Sequence, residues 1–146
     1  MNESPPPYLF VYGTLRSDIP SSMSKFLRRR ARLIGKATVS GRLVDLGGYP
    51  GFVGGEGLTK GELYRIDDDR AEETWQMLDA YEGVTGLEDE DYRRIVLEVR
   101  VAGGGTFRAY TYEYQQPVDE KREIPNGDYP PYYRNNPEHL KFTGND

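Results

Sequence analysis

The segment from Tyr92 to Tyr114 constrains the fold of this chain more than any other. Over Tyr92–Val101, Ile95, Leu97, Val99 and Val101 fall on one face, and Arg94, Glu98 and Arg100 mostly on the other. Successive side chains of a strand leave opposite faces, so this alternation predicts a half-buried strand. Ala102-Gly103-Gly104-Gly105 interrupts the pattern, and Thr106–Tyr114 resumes it with Tyr110, Tyr112 and Tyr114 on one face. Two alternating runs joined by a glycine-rich turn predict an antiparallel hairpin.

Other segments supply its partners. Tyr8-Leu9-Phe10-Val11-Tyr12 is a short apolar run ended by Gly13 and reads as a buried strand. Val39, Gly41, Leu43 and Asp45 alternate with Thr38, Ser40, Arg42 and Val44, then Leu46–Gly51 turns sharply, and Thr59–Ile66 reads as a further strand. Ser21 or Ser22 caps a helix over roughly 22–33, with Phe26, Leu27, Ala31 and Ile34 on one face and Arg28, Arg29, Arg30 and Arg32 solvated. A second helix begins near Asp69, which has capping-box spacing to Glu72, and stops at Gly83. Residues 1–7, with three prolines, read as a disordered leader, and residues 115–146 as an extended tail wrapping the domain. Residues 1–146 form one domain without repeats or linkers. The predicted class is α+β, with five or six strands and one or two helices, the sheet curled or barrel-like rather than doubly wound.

Composition narrows the chemistry. Cysteine is absent, which removes disulfides, thiolate nucleophiles and cysteine metal sites. His139 is the one histidine, which argues against a Ser-His-Asp triad or a histidine-rich metal centre. Acid–base work would fall to Asp, Glu, Tyr or Lys. The net charge of −5 is the opposite of a nucleic-acid binder's bias. No apolar run is long enough to cross a membrane, and the first residues carry an acid where a secretion signal carries bases. The expectation is a cytoplasmic monomer that takes a small molecule and neither nucleic acid nor membrane.

Glu82 stands out because it continues the stripe of Ala71, Trp75 and Leu78. The helix should therefore turn it inward, where burial and the negative helix end both raise a carboxyl pKa. A carboxyl so placed is a general-base candidate; the alternatives are a structural Glu that accepts a hydrogen bond from a tyrosine and a Glu that frays outward at the helix end. Tyr12-Gly13-Thr14-Leu15-Arg16 leaves the first strand at a glycine, where backbone N–H donors are free to meet an anion or a carbonyl oxygen. An ordinary turn is the other reading. Arg16 suits a carboxylate or the surface, and Gly47-Gly48-Tyr49-Pro50-Gly51 suits a cleft wall or a tight loop. The acidic run Glu88-Asp89-Glu90-Asp91 lacks the spacing of a calcium loop and reads as solvated.

In order, these segments resemble the γ-glutamylcyclotransferase-like (AIG2-like, BtrG-like) family over about residues 8–130. Tyr12-Gly13-Thr14-Leu15 looks like its opening Tyr-Gly-(Ser/Thr)-Leu motif. Gly41–Leu46 with Tyr49-Pro50-Gly51, and Gly61-Glu62-Leu63-Tyr64, look like its middle blocks. Leu78-Asp79-Ala80-Tyr81-Glu82-Gly83 resembles the block that carries the family's catalytic Glu, and Tyr92-Arg93-Arg94 and Ile124–Tyr129 also fit. The resemblance implies a small mixed β-barrel with flanking helices. It implies cleavage of a γ-glutamyl amide by cyclisation, releasing 5-oxoproline and an amine without metal or organic cofactor. Tyr12 to Leu15 would hold the γ-glutamyl group and Glu82 would take the proton of its α-amine, with Arg16, Tyr49 and Pro50 as further binding candidates. The leaving amine stays open, and a non-catalytic module binding a γ-glutamyl or other small ligand is the alternative.

Overall fold

Two strands long enough to bend dominate the architecture: β2 (Ala31–Asp45) and β3 (Pro50–Ile66), which pair antiparallel along nearly their whole length. The structure, a computed structural model, describes residues 6–86, 90–118 and 122–144. The other elements are β1 (Tyr8–Val11), α1 (Ser22–Arg30), α2 (Ala71–Glu82), β4 (Tyr92–Val101), β5 (Thr106–Tyr114), β6 (Arg122–Glu123), a 3-10 turn (Pro125–Gly127), α3 (Tyr129–Arg134) and α4 (Pro137–Gly144). Ladders run β1–β3–β2–β4–β5, and β1 then pairs parallel with β5, closing a five-stranded mixed barrel. The hairpin has the predicted bounds and register, Tyr92 opposite Tyr114 and Arg100 opposite Thr106.

Closure requires β2 to bend, and it does so at register shifts between Leu33 and Gly35 and between Ser40 and Arg42. Gly41 lies in the second shift at φ 141°, where a β-carbon would come within 2.5 Å of the Phe52 ring. Only glycine suits that position.

β1 is buried on both faces, which explains its unbroken apolar run. Phe10 and Tyr12 join the cluster of Val39, Leu43, Phe52, Leu63 and Val99. Leu9 and Val11 join Leu27 of α1, Leu78 of α2, and Tyr64, Tyr92 and Tyr112. The helices thus cover one outer wall of the barrel and bring the end of α2 to the end of β1. Among the described residues no helix is long and apolar enough to cross a membrane.

Several expectations need correction. Ser21 does cap α1, accepting from the Ser24 N–H, but α1 ends at Arg30. Ala31 and Ile34 belong to β2 because Ala31 already pairs with Ile66, so the ladder displaces the last helical turn. Asp69 does not cap α2; Arg70 holds the N-cap in the left-handed region at φ 61° and bonds Glu73 through its guanidinium. Residues 1–5 of the expected leader lie outside the described residues, while the Pro7 carbonyl accepts from the Ile66 N–H at 2.8 Å. Residues 115–146 are not simply extended. β6 adds to β2, and Ile124, Tyr129 and Tyr133 enter the barrel core. Pro130 and Pro131 lie in the first turn of α3, where a missing N–H costs no helical bond. Buried His139 bonds Tyr129 and Asp45 at 2.7 and 2.8 Å, fastening α4 to the end of β2.

Candidate active site

The junction of β1 and α2 encloses a cavity of about 620 Å³. One wall is the loop after β1: Tyr12, Gly13, Thr14 and Leu15. The second is the C-terminal turn of α2, Ala80 to Gly83, and the third comprises Tyr49, Pro50, Tyr92 and Tyr112, with Asp91 completing the lining.

The loop after β1 is held from behind. The Gly13 carbonyl accepts from the Arg16 N–H at 3.0 Å, and the Thr14 carbonyl accepts from Ser21 Oγ at 2.5 Å. Across a planar trans peptide, C=O and N–H point in opposite directions. Both carbonyls are thus engaged, and the N–H on the opposite side of each peptide belongs to Thr14 or Leu15, residues that line the cavity. Among the described residues no hydrogen bond uses the N–H of Gly13, Thr14 or Leu15. Successive backbone donors of this kind attract a carboxylate or a polarised carbonyl oxygen. Glu62 and Ser24 complete the support: Glu62 accepts from the Ser17 N–H and hydroxyl at 2.6 Å each, and Ser24 Oγ donates to the Arg16 carbonyl at 2.8 Å. Gly13 is needed for closeness, since a β-carbon there would lie 2.5 Å from Pro50 Cγ.

Glu82 is the last residue of α2, before Gly83 ends the helix in the left-handed region. It lines the cavity, is partly buried, and has no hydrogen-bond or ion-pair partner among the described residues. Burial first, and the nearby Asp79 charge second, push its carboxyl up from 4.5 to about 8. Asp79 itself accepts from Tyr112 Oη at 2.7 Å and meets Arg94 at 3.5 Å. Thr14 Oγ1 and Tyr81 Oη, 3.0 Å apart, link the loop to the helix turn that carries Glu82. Tyr12, Tyr92 and Tyr112 are held protonated, chiefly by burial, and their hydroxyls are engaged with the Tyr112 carbonyl, the Pro50 carbonyl and Asp79.

Seven of the eight residues singled out from the sequence therefore meet: Tyr12, Gly13, Thr14, Leu15, Tyr49, Pro50 and Glu82. Arg16 does not. Its buried guanidinium turns away to Asp18 at 3.1 Å and Asp128 at 3.5 Å, bracing the loop from outside the cavity. Sequence reasoning did not single out Tyr81, Asp91, Tyr92 and Tyr112 for the site. For Tyr112 a signal existed in the tyrosine face of β5; for Asp91, at the end of an irregular acidic loop, none did. The assembled groups can bind an oxyanion or carbonyl through backbone donors and move a proton through one carboxyl.

Comparison with known proteins agrees with this arrangement. Residues 9–131 match the family model described as gamma-glutamyl cyclotransferase, AIG2-like. The gamma-L-glutamyl-butirosin B gamma-glutamyl cyclotransferase of Niallia circulans is 37% identical over 113 residues, 75% of this chain and 68% of the relative. The gamma-glutamylcyclotransferase family protein YtfP of Escherichia coli K12 is 34% identical over 122 residues, 83% of this chain and 94% of the relative. The crystal structure of an AIG2-like protein from Mus musculus superposes with a TM-score of 0.63 at 23% identity, covering 80% of this chain and 82% of that one, and shares the fold. The matched span runs from β1, whose following loop walls the cavity, into α3, and on that match the chain belongs to the gamma-glutamyl cyclotransferase, AIG2-like family.

Proposed function

We propose that this chain cleaves γ-glutamyl amides by cyclisation, releasing 5-oxoproline and a free amine, with Glu82 as the acid–base group. The supporting observation is the Glu82 carboxyl, raised by burial and without a hydrogen-bond or ion-pair partner among the described residues, in a cavity also lined by Gly13 to Leu15, whose N–H groups make no hydrogen bond among the described residues. The γ-glutamyl group lies along the loop after β1, its carboxylate or γ-carbonyl oxygen accepting from those donors. The Glu82 carboxylate removes a proton from the substrate's α-ammonium. The freed amine nitrogen attacks the γ-carbonyl carbon, forming the lactam C–N bond. The tetrahedral intermediate collapses with cleavage of the original amide C–N bond; protonated Glu82 returns its proton to the departing nitrogen, and the second proton of the attacking nitrogen passes to the released amine or to solvent, leaving the neutral lactam.

The match of proton affinities favours this cycle. Burial brings the Glu82 carboxyl up to about 8, much nearer an amine's range than an ordinary carboxyl's and near the operating pH, so proton transfer in either direction is less uphill. The nucleophile belongs to the substrate, and holding amine against carbonyl replaces a bimolecular encounter.

The test is 5-oxoproline formation from a pooled panel of γ-glutamyl amino acids, γ-glutamyl-ε-lysine and glutathione. Native protein yields 5-oxoproline; Glu82→Gln, folded by circular dichroism, loses at least about a hundredfold, the usual size of an acid–base contribution. Full activity in that variant removes Glu82 from the mechanism.

A further inference from the structure

We propose that Asp45 is a positioning residue for the cleft wall, and that Tyr132 and His139, from the two C-terminal helices, hold its carboxylate in the orientation that fixes Tyr49 and Pro50. The inference deepens the cyclisation reading and rests on it for its kinetic measurement alone.

Tyr49 and Pro50 reach the cavity from the connection between β2 and β3. Asp45 stands opposite Pro50 in the ladder, and Leu46-Gly47-Gly48-Tyr49 is the loop between them. Adjacent glycines, here at φ 100° and 142°, leave a loop freer than other residues would. Two hydrogen bonds restrict it. The Leu46 N–H donates to the Tyr49 carbonyl at 2.9 Å, and the Gly47 N–H donates to Asp45 Oδ1 at 2.8 Å. The second is an Asx turn, in which a side chain stands in for a backbone acceptor. The setting of Pro50 matters to the opposite wall, because a β-carbon at Gly13 would lie 2.5 Å from Pro50 Cγ. The Tyr92 hydroxyl also grips the Pro50 carbonyl at 2.9 Å. A shift at Pro50 is therefore transmitted to the loop after β1.

The C-terminal helices aim the Asp45 carboxylate. Its Oδ1 accepts from His139 Nε2 at 2.8 Å as well as from Gly47, and its Oδ2 accepts from the Tyr132 hydroxyl. Burial raises the Asp45 carboxyl, but the bonds from Tyr132, Gly47 and His139 outweigh it and hold the group below its ordinary value. An ionised carboxylate only accepts, which places a proton on His139 Nε2. His139 Nδ1 lies 2.7 Å from the Tyr129 hydroxyl, so the ring is oriented from both sides. Of residues 137–141 in α4 only His139 is buried, and Leu140 is 42% exposed. A helix docked by apolar packing buries its leucine; this one buries an imidazole bonded to Asp45. Glu138 of α4 also lies against the loop, since a β-carbon at Gly47 would come within 3.4 Å of its Oε1. None of Asp45, Tyr132 and His139 lines the cavity, so they act through the loop.

The experiment compares His139→Asn with His139→Gln. The Asn amide takes the place of Nδ1 and keeps a partner for Tyr129 but offers no donor to Asp45. The Gln amide reaches the place of Nε2 and keeps that donor. Each variant loses one of the two bonds that dock α4, so a merely structural role affects both alike. In His139→Asn, KM for 5-oxoproline release from the best substrate of the panel is expected to rise about fivefold, what one ordinary hydrogen bond supports, with kcat within about twofold because Glu82 is untouched. The solvent-exchange rate of the Gly47 amide by NMR should rise by a similar factor, while the amides of the β4–β5 ladder keep theirs. His139→Gln should retain the native KM and the native Gly47 exchange. Tyr132→Phe keeps a ring against His139, removes the donor to Oδ2, and should move both readouts in the same direction as His139→Asn. If circular dichroism shows His139→Asn unfolded, Tyr132→Phe decides alone. Equal effects of Asn and Gln, or KM and Gly47 exchange unchanged in Tyr132→Phe, would overturn the assignment and leave the cyclisation reading standing. Absence of 5-oxoproline from native protein would defeat the cyclisation reading, and Gly47 exchange would still decide whether the C-terminal helices hold the cleft wall.

Discussion

The raised pKa of Glu82 ties activity and stability to pH in opposite directions, which permits a test that uses both. The carboxyl titrates at 4.5 in ordinary surroundings and at about 8 in the folded protein. Between those values the folded state holds more protons than the unfolded one, so stability falls as pH rises through the window and levels off above it. The full shift, at 1.36 kcal/mol per unit, corresponds to about 5 kcal/mol, and the partial exposure of Glu82 reduces this to about 2 kcal/mol. For a chain of this size that is a melting-temperature loss of roughly 6 °C between pH 5 and pH 8. Glu82→Gln removes the titration, so the difference in melting temperature between variant and native protein, near zero at pH 4.5, should grow to that value at pH 8. Taking the difference cancels other groups, including Asp45, whose lowered pKa adds a loss of stability on acidification. kcat/KM of the native protein should rise with pH and level off above about 8 as the base ionises. Parallel melting curves across the whole range, or activity already level at pH 5.5, would refute the argument, because either means a carboxyl that titrates normally.

Three further substitutions probe the surroundings of that carboxyl. Gly13→Ala places a methyl 2.5 Å from Pro50 Cγ, so the loop must move; a cost of about 1–3 kcal/mol by urea titration should accompany a loss in kcat/KM larger than folding accounts for. Ser21→Ala removes both the α1 cap and the hydroxyl on the Thr14 carbonyl, costing about 1 kcal/mol and raising KM, while Ser21→Thr restores both readouts. Asp79→Asn removes the charge that helps raise Glu82, so the rising limb of the pH–activity profile should move to lower pH while the plateau is kept, a displacement absent if Asp79 serves only to anchor Tyr112.

What was legible in the sequence, and what was not, follows the range of the interactions. Alternation at Tyr92–Tyr114 and the stripe Ala71, Trp75, Leu78, Glu82 are local patterns, and both the hairpin and the inward Glu82 are present in the fold. Arg16 was misplaced because its chemistry suits a carboxylate anywhere; that the carboxylates would be Asp18 and the distant Asp128 depends on how the C-terminal segment returns to the loop. The same return hid the C-terminal helices, since a run of Pro, Asn and Tyr has little helical propensity and gains its order by inserting Tyr129 and Tyr133 into the barrel. The tyrosine excess has the same origin. Tyr12, Tyr92, Tyr112 and Tyr129 each bury a ring while placing a hydroxyl on a carbonyl, a carboxylate or an imidazole. Phenylalanine at those positions would fill the volume equally well but remove the hydroxyl partner from Asp79, from His139 Nδ1 and from the Pro50 carbonyl. In a barrel this small the cleft wall and the core share side chains, so the tyrosines that hold the sheet together are also the ones that position Asp79 beside Glu82. A carboxyl whose ionised form is disfavoured by burial can be kept there because rings and hydroxyl bonds around it hold the cavity in shape.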